Sequence, residues 1–361
     1  MWAGAGLVVL VGMVAPAAPA APSACDGFEP VEVGGTVAEP RLVELSGLAA
    51  SPGHADVLWA HNDSGGAAEL YAFAEDGTSL GAHPVESADA VDWEDMAAGP
   101  APNGTDAVLY IGDIGDNDAS RPTVTVYRVH EPEETPLAPG APLTEVEAIE
   151  LRYPDGPSDA EALLIDPRTG DLVIVTKSLL GMSRVLTTPA ASLVPGAPVA
   201  MIDAGGLRVP LPPDPAPGFP GTAITGGDVS PDGSIVLLRT YRSVLAFPRA
   251  ADQTLAEALQ GEPCFAPQAE EQQGEAVAFT NDGSAFVTIS EGANPAINRI
   301  GSSQPAATTT TAAPMTTARE DSVPDDDPST GAVLVAAVVV LVVLGGGALL
   351  WSHRRARSGA G

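Results

Sequence analysis

The chain has 361 residues, of which 16 are Lys or Arg and 47 are Asp or Glu, for a formal net charge of −31. A surface this acidic repels nucleic acid and anionic lipid, so the composition excludes a nucleic-acid-binding protein. It favours cations, cationic partners or plain solubility.

Residues 1–24 have the form of a secretory signal. Leu7–Val14 is a short apolar run, and small residues and proline follow it up to Ala24, which indicates cleavage between Ala18 and Cys25. No Lys or Arg precedes this run, so the true start codon stays open. The alternatives are a second membrane anchor, for which the run is short, and a lipoprotein at Cys25, for which Pro22 stands at the wrong place.

One pattern occurs five times between residues 25 and 300. Each copy has a polar residue and a short apolar run, then a Gly, Asp or Pro turn, then a run rich in Val, Ile and Leu. The first runs centre on Leu48, Met96, Leu163, Val229 and Val277, and the second runs are residues 57–63, 107–113, 172–177, 235–240 and 285–290. Asp-Gly pairs lie between apolar runs, as they do in β-hairpins.

Repeats of four short strands at this spacing are typical of a β-propeller. We therefore predict an all-β fold over residues 25–300, with five four-stranded blades and room for a sixth between Val185 and Ala223. A β-sandwich or a β-helix is the structural alternative. A strand around Val31–Val37 is expected to complete the last blade and remove an open edge. Two cysteines in an exported chain predict one disulfide, Cys25 to Cys264, tying the ends of the ring.

The repeat also predicts a functional face. In a propeller blade the first strand starts, and the second strand ends, on the same face of the disc. The first set of converging residues is Ser46, Glu94, Glu161, Gly227 and Glu275, with the acids Glu44, Asp92, Asp95, Asp159 and Asp228 beside them. The second set is His61-Asn62-Asp63, Asp113 with residues 116–118, Lys177, Arg239 with Arg242, and Ser290-Glu291.

This arrangement predicts an acidic ring around the central opening, with a few cations beside it. Hard cations take several carboxylate and carbonyl oxygens, so Ca²⁺ is the predicted cofactor. The predicted metal ligands are Glu94, Asp95, Asp113, Asp116, Glu161, Asp228 and Glu275. The predicted ligand-binding residues are Asp63, Lys177, Arg239, Arg242 and Glu291, among which the cations suit an anion such as phosphate. The alternative is that these acids cap strand ends and bond backbone amides in turns.

Two other signals do not indicate catalysis. Residues 77–81 match the G-x-S-x-G pattern, but Ser79 lies in a hairpin turn entering a strand and not at a strand-to-helix elbow. The five histidines are scattered, without the spacing of a catalytic zinc site.

The C-terminal part has a different composition. Residues 301–330 are rich in Thr, Pro and Asp and are expected to form a stalk. Residues 331–351 contain no charge and are long enough to cross a bilayer as a helix. Basic residues in the tail, 352–361, favour the cytoplasmic side. The chain is thus predicted to be a single-pass protein of the cell membrane with its N-terminal domain outside.

The strings VELSGLAAS, WAHNDSGG, VDWEDMA, YIGDIGDN, DAEALLIDPRTGDL and GEAVAF lie between Arg41 and Gly292. They resemble exported actinobacterial β-propeller proteins, which are loosely similar to phytase-like and WD40/YVTN-type propellers. The resemblance implies a propeller fold, and the phytase-like members use calcium with acidic residues in the channel. Propellers host enzymes and binding modules alike.

Two functional hypotheses follow. The first is a cell-surface binding module that recognises an extracellular ligand or protein through a Ca²⁺-binding acidic face. The second is a calcium-dependent hydrolase, either a phytase-like phosphoesterase or a lactonase.

Overall fold

The computed structural model describes residues 24–303, except 103, 105, 134–136 and 214–220. The predicted signal up to residue 23, nearly all of the stalk, the apolar segment 331–351 and the tail lie outside the described residues. Within the described residues, no helix is long and apolar enough to cross a membrane.

The described residues form five antiparallel sheets, the blades of a propeller, with strands numbered in chain order. Blade 1 contains β2 (Leu45–Ala50), β3 (Val57–Asn62), β4 (Glu69–Ala74) and β5 (Ser79–Pro84). Blade 2 contains β6 (Trp93–Pro100), β7 (Ala107–Asp113), β8 (Val124–Val129), β9 (Glu147–Arg152) and the short parallel strand β13 (Val199–Ala200). Blade 3 contains β10 (Ala160–Ile165), β11 (Leu172–Thr176), β12 (Met182–Thr188) and β14 (Ile202–Arg208).

Blade 4 contains β15 (Ile224–Val229), β16 (Ile235–Thr240), β17 (Ser243–Pro248) and β18 (Cys264–Ala266), with the helix α1 (Leu255–Leu259) before its last strand. Blade 5 contains β19 (Gly274–Phe279), β20 (Ala285–Ser290), β21 (Ala296–Ser302) and, from the other end of the domain, β1 (Phe28–Thr36). Short 3-10 turns at Ala24–Gly27 and Ala190–Ser192 complete the described elements.

The ring closes as the sequence predicts. Strand β1 pairs antiparallel with β21 and covers its edge in blade 5, and a disulfide joins Cys25 to Cys264 of β18 in blade 4. Both predictions are confirmed. The N-terminal segment is therefore tied to the two last blades, by hydrogen bonds to one and a covalent bond to the other.

The prediction of room for a sixth blade is wrong. Residues 185–223 contribute most of β12, the turn Ala190–Ser192, β13 and β14 to blades 2 and 3. The long spacing between repeats comes from the extended outer edge of these blades.

The hydrophobic core consists of five clusters, one between each pair of neighbouring blades. Both faces of a middle strand therefore meet apolar side chains, and every residue of β11 and of β16 is buried. Strands buried on both faces have continuous apolar sequences, which is why the runs LVIVT and IVLLRT do not alternate. The strand starts and ends, where blades do not cover each other, are free to carry other chemistry.

Candidate cation site in the central opening

Each innermost strand has a register shift against its second strand near its first residue. The shift lies between Leu45 and Leu48, Trp93 and Asp95, Ala160 and Ala162, Ile224 and Gly226, and Gly274 and Ala276. An extra residue in one strand bends the strand and turns a side chain to a new direction. The extra position holds Glu94, Glu161, Thr225 and Glu275, and in blade 1 it falls at Ser46-Gly47. The same local device thus presents one polar residue per blade.

In blade 4 the residue at the extra position lies two positions before the one that the sequence pattern predicted. The extra position is Thr225 and not Gly227, and the Thr225 hydroxyl donates to the carbonyl oxygens of Gly274 and Glu275 at 3.0 Å. A side chain at Gly227 would lie 2.8 Å from the Leu237 carbonyl oxygen. The turns at residues 232–234 and 282–284 both have the sequence Asp-Gly-Ser. Aligning blades 4 and 5 on these turns gives Thr225 the same position in the repeat as Glu275, so the correct alignment of the two blades could be found in the sequence.

Four of the presented residues, Ser46, Glu94, Glu161 and Glu275, line a small central opening of about 70 Å³, and Thr225 is not part of this lining. Its lining is almost entirely polar: Glu44, Leu45, Ser46, Asp63, Glu94, Asn117, Glu161, Lys177, Tyr241, Gln273, Glu275 and Glu291. The predicted residues Glu94, Glu161, Glu275, Asp63, Lys177 and Glu291 are brought together here. Ligand pockets for drug-sized molecules are about 300–1,000 Å³, so the opening itself suits an ion or a single small group.

Five carboxylates in and directly beside the opening form two groups that share Glu94: Asp63, Glu94 and Glu161 line the opening, and Asp92 and Asp159 lie next to them. Oxygens of Asp63, Asp92 and Glu94 lie within 4.8 Å of one another, and so do oxygens of Glu94, Asp159 and Glu161. Oxygens that bind one Ca²⁺ at 2.3–2.6 Å are at most about 5 Å apart, so either group fits around one ion. We call Asp63, Asp92 and Glu94 the first triad, and Glu94, Asp159 and Glu161 the second.

Gly115 leaves room beside the first triad. A Cβ atom at this position would lie 2.2 Å from Glu94 Oε1 and 2.5 Å from Asp92 Oδ2. The Gly115 amide donates to the Asp92 carbonyl oxygen at 3.1 Å, which fixes the loop against these carboxylates. Any other residue at position 115 would push into the space next to them.

The chain's single lysine pairs with one carboxylate of the second triad, Glu161. Lys177 Nζ forms an ion pair with Glu161 and lies 5.7 Å from the centre of the Tyr241 ring. Burial lowers the pKa of Lys177, but the charge of Glu161 outweighs burial and raises it, so the ammonium stays charged. By contrast, no ion pair among the described residues involves Asp63, Asp92 or Glu94.

Burial and mutual repulsion destabilise the charged form of the carboxyl groups in and beside the opening. Burial, with the charges of Asp63 and Asp159, raises the pKa of Asp92 to about 6. Burial, with the charge of Glu161, raises the pKa of Glu275 to about 9 and that of Glu94 well above its ordinary value. Burial raises the pKa of Glu161 to about 7 although Lys177 acts in the opposite direction. A bound cation would stabilise the charged form of each group.

Four of the predicted metal ligands lie outside this opening. Asp95 is buried, and its carboxylate accepts the amides of Met96, Leu163 and Gly227 at 2.8 to 3.0 Å, which belong to blades 2, 3 and 4. Asp228 bonds the Phe279 amide at 2.6 Å near the opposite face. For Asp95 and Asp228 the alternative prediction is therefore the correct one, because their carboxylates accept hydrogen bonds from backbone amides.

The other two predicted metal ligands, Asp113 and Asp116, form their contacts within the loop that follows β7. Asp113 forms an ion pair with Arg121 at 2.7 Å, and Asp116 accepts the amides of Ser120 and Arg121 at 2.8 Å. These hydrogen bonds close the loop 113–121 on itself. The metal-like string of residues 113–118 is therefore a hydrogen-bonded turn in the structure.

The predicted anion-binding arginines do not face the opening. Arg239 is 1 % exposed and forms an ion pair with Glu271, while its Nη1 donates to Gln268 Oε1 at 3.1 Å. The backbone oxygen of Arg242 accepts a hydrogen bond from the Gln268 side chain. The residue that lines the opening from this blade is Tyr241, which follows Thr240 as Lys177 follows Thr176.

Sequence reasoning also missed Gln273. Its side-chain amide donates to Glu275 Oε1 at 2.9 Å and to Glu291, so it holds two acids of the opening in place. Its position just before β19 carries no recognisable motif. Ser79, in the discounted G-x-S-x-G pattern, begins β5 and donates to Glu39 at 3.1 Å.

No protein-family model matches the chain, and no curated protein matches it. The resemblance to phytase-like propellers therefore stays a prediction.

Proposed function

We propose that this protein is a cell-surface binding module whose propeller holds Ca²⁺ in the central opening and recognises an extracellular ligand or protein with its acidic face. The observation that carries the proposal is the first triad, Asp63, Asp92 and Glu94. These carboxylates come from two blades, converge within reach of one ion and have no cationic side chain paired with them among the described residues.

Ca²⁺ is the ion that this donor set favours. The donors are carboxylate oxygens, with the side-chain oxygens of Ser46 and Asn117 in the same lining. Hard cations prefer such oxygens, and Ca²⁺ accepts six to eight of them in irregular geometry. In the described part of the chain, no histidine or cysteine lines the opening, so the donor set is unlike that of zinc or copper sites.

The cellular location in this proposal is supported by the chain's chemistry. The Cys25–Cys264 disulfide is a bond of oxidising compartments. The predicted signal at residues 1–24 and the predicted membrane segment 331–351 with its basic tail support a location of the propeller outside the cell. Protease added to intact cells should release the propeller by cutting within residues 301–330; a fully protected propeller would contradict this location.

The hydrolase hypothesis has less support. A phosphoesterase needs a clamp for its anionic substrate, and Arg239, one of the two arginines predicted for that role, is committed to Glu271 inside the protein. Lys177 is likewise paired with Glu161. Binding without catalysis is therefore the function that the geometry favours.

The test is calorimetric titration of CaCl₂ into the full chain in lipid nanodiscs. Glu94→Gln and Asp92→Asn should each weaken binding at least tenfold, because each removes a charged donor. Asp118→Asn removes the same charge from an exposed loop position on this face and should change affinity less than twofold. If the unaltered protein shows neither binding heat nor a difference in melting temperature between Ca²⁺ and chelator, the proposal is wrong.

A further inference from the structure

The innermost strands end at a second cavity, the lower cavity, on the face opposite the acidic opening. Its volume is about 460 Å³, within the range of small-molecule sites. Each innermost strand contributes a residue from its last positions to the lining: Ala50, Gly99, Ile165, Val229 and Phe279. Most of the lining residues are apolar, with the polar residues Asp106, Asp228, Thr280 and Asn281 among them, in contrast to the ring of carboxylates where the same strands start.

One partly buried carboxyl group, that of Asp228, lies in this mostly apolar lining. Asp228 lines the cavity, and one of its oxygens accepts the Phe279 amide at 2.6 Å. A carboxylate has about four acceptor sites, so capacity remains for a further donor. No ion pair among the residues that the structure describes involves Asp228. The other acid of the lining, Asp106, is exposed at the rim.

We propose that the lower cavity binds a small organic amine, with its ammonium group on the Asp228 carboxylate and its apolar body against Ile165, Val229 and Phe279. Charge complementarity selects the ammonium, because a carboxylate in an apolar lining forms its strongest hydrogen bonds with a charged donor. The apolar lining selects the body, because its burial removes apolar surface from water. Anions are rejected by the same carboxylate.

The ionisation of Asp228 fits this assignment. Burial raises its pKa to about 7, and only backbone amides act against that effect. A carboxyl group whose charge lacks a partner is stabilised in its charged form when a cation binds beside it. This site does not depend on the proposed calcium site, which uses different residues at the other end of the strands.

The experiment compares two probes of the same shape, cyclopentylamine and cyclopentanol. The full chain is labelled with fluorophenylalanine in nanodiscs, and the ¹⁹F signal of Phe279, assigned with Phe279→Leu, is followed during titration. Cyclopentylamine should shift this signal and bind at least tenfold more tightly than cyclopentanol. Asp228→Asn should abolish that preference, while Asp282→Asn, which removes a charge from the neighbouring hairpin turn, should change the affinity less than twofold.

Equal affinities for the amine and the alcohol in unaltered protein would overturn the proposal, and so would an unchanged preference in a folded Asp228→Asn variant. The comparison of the two probes decides the matter even if that variant fails to fold. A Phe279 signal that moves with neither probe would also overturn it. Since CaCl₂ binding is measured separately, failure here leaves the calcium site standing, and the reverse also holds.

Discussion

The two ends of the innermost strands have opposite chemistry although all five strands share one architecture. Their starts present Ser46, Glu94, Glu161 and Glu275 to a polar opening, and their ends present Ala50, Gly99, Ile165 and Phe279 to an apolar cavity. Between the ends, each strand packs in the clusters between neighbouring blades. Packing therefore constrains the middle of a blade, and the two ends are free to acquire separate binding sites.

The neighbours Glu94 and Asp95 show how sharply the two environments are separated. Glu94 faces the opening, whereas the next carboxylate along β6 is fully buried and bonds amides of three blades. The register shift between Trp93 and Asp95 turns the Glu94 side chain towards the opening, so the two adjacent acids take unrelated roles.

The largest effect is expected from Asp95→Ala. The change leaves three buried amides without their acceptor, at about 1–3 kcal/mol each, which sums to about 6 kcal/mol. A loss of that size is comparable with the whole stability of many domains, so the variant should fold poorly or melt far lower. Urea denaturation followed by circular dichroism measures it.

The matched variant is Glu94→Gln, one residue away, which removes no hydrogen bond of the described residues and should cost less than about 1 kcal/mol. Asp95→Asn should fall between the two, since one acceptor oxygen remains. Equal stability of Asp95→Ala and Glu94→Gln would contradict the separation of roles.

The free energy of unfolding is expected to depend on pH. The folded-state pKa values of Asp92, about 6, and Glu275, about 9, are higher than the ordinary values of 3.8 and 4.5. Each group keeps its proton longer when folded, so its stabilising effect is complete below the ordinary pKa and is lost as pH rises through the folded one. Without metal, the free energy of unfolding should fall between pH 5 and pH 9 by on the order of 5 kcal/mol, most of it from Glu275, because Asp92 is partly exposed and solvent screens its contribution.

Urea denaturation at several pH values in chelator tests this slope. Glu275→Gln should flatten the fall between pH 7 and pH 9, because it removes the group that titrates there. Saturating Ca²⁺ should reduce the slope in the unaltered protein. A stability that rises steadily from pH 5 to pH 9 would show that the carboxyl groups of the opening are not held under repulsion.

The smallest effect is expected from Lys177→Met. The ammonium of Lys177 repels a cation in the opening and occupies Glu161, so its removal should increase Ca²⁺ affinity about tenfold, or about 1.4 kcal/mol. Calorimetric titration measures it. Arg184→Met removes a cation on the outer part of the same blade, where Arg184 pairs with Asp155 and Asp203, and should leave the affinity unchanged. Weaker binding in Lys177→Met would mean that Lys177 helps to hold the ligand.

Much of the fold could be predicted because it depends on local patterns. Continuous apolar runs such as residues 172–176, bounded by turn residues, identified middle strands, and five copies identified the blades. The closing strand β1 and the Cys25–Cys264 bond followed from the need to cover an edge and to pair the two cysteines of a chain predicted to be exported. Strand β13 was missed, since two residues pairing across blades leave no periodic signal.

The candidate site was predicted only in part. Glu94, Glu161 and Glu275 were found from their position in the repeat, whereas blade 4 was misaligned by two residues. Tyr241 and Gln273 were missed because their roles depend on side chains from other blades. Asp95 and Asp228 were taken for metal ligands because an acid beside the ring has the same sequence signature whether it faces the opening or bonds amides.

The sequence by itself therefore determined most of the strands, their recurrence in blade repeats and the acidic character of one face, since these depend on periodicity and composition along the chain. Only the tertiary structure decided which carboxylates converge, which of them pair with Lys177 or with backbone amides, and that the opposite strand ends enclose an apolar cavity around Asp228. The physical reason is that charge repulsion, hydrogen bonding and burial act between groups that are close in space, and the five strands that meet at the centre come from positions up to about 230 residues apart.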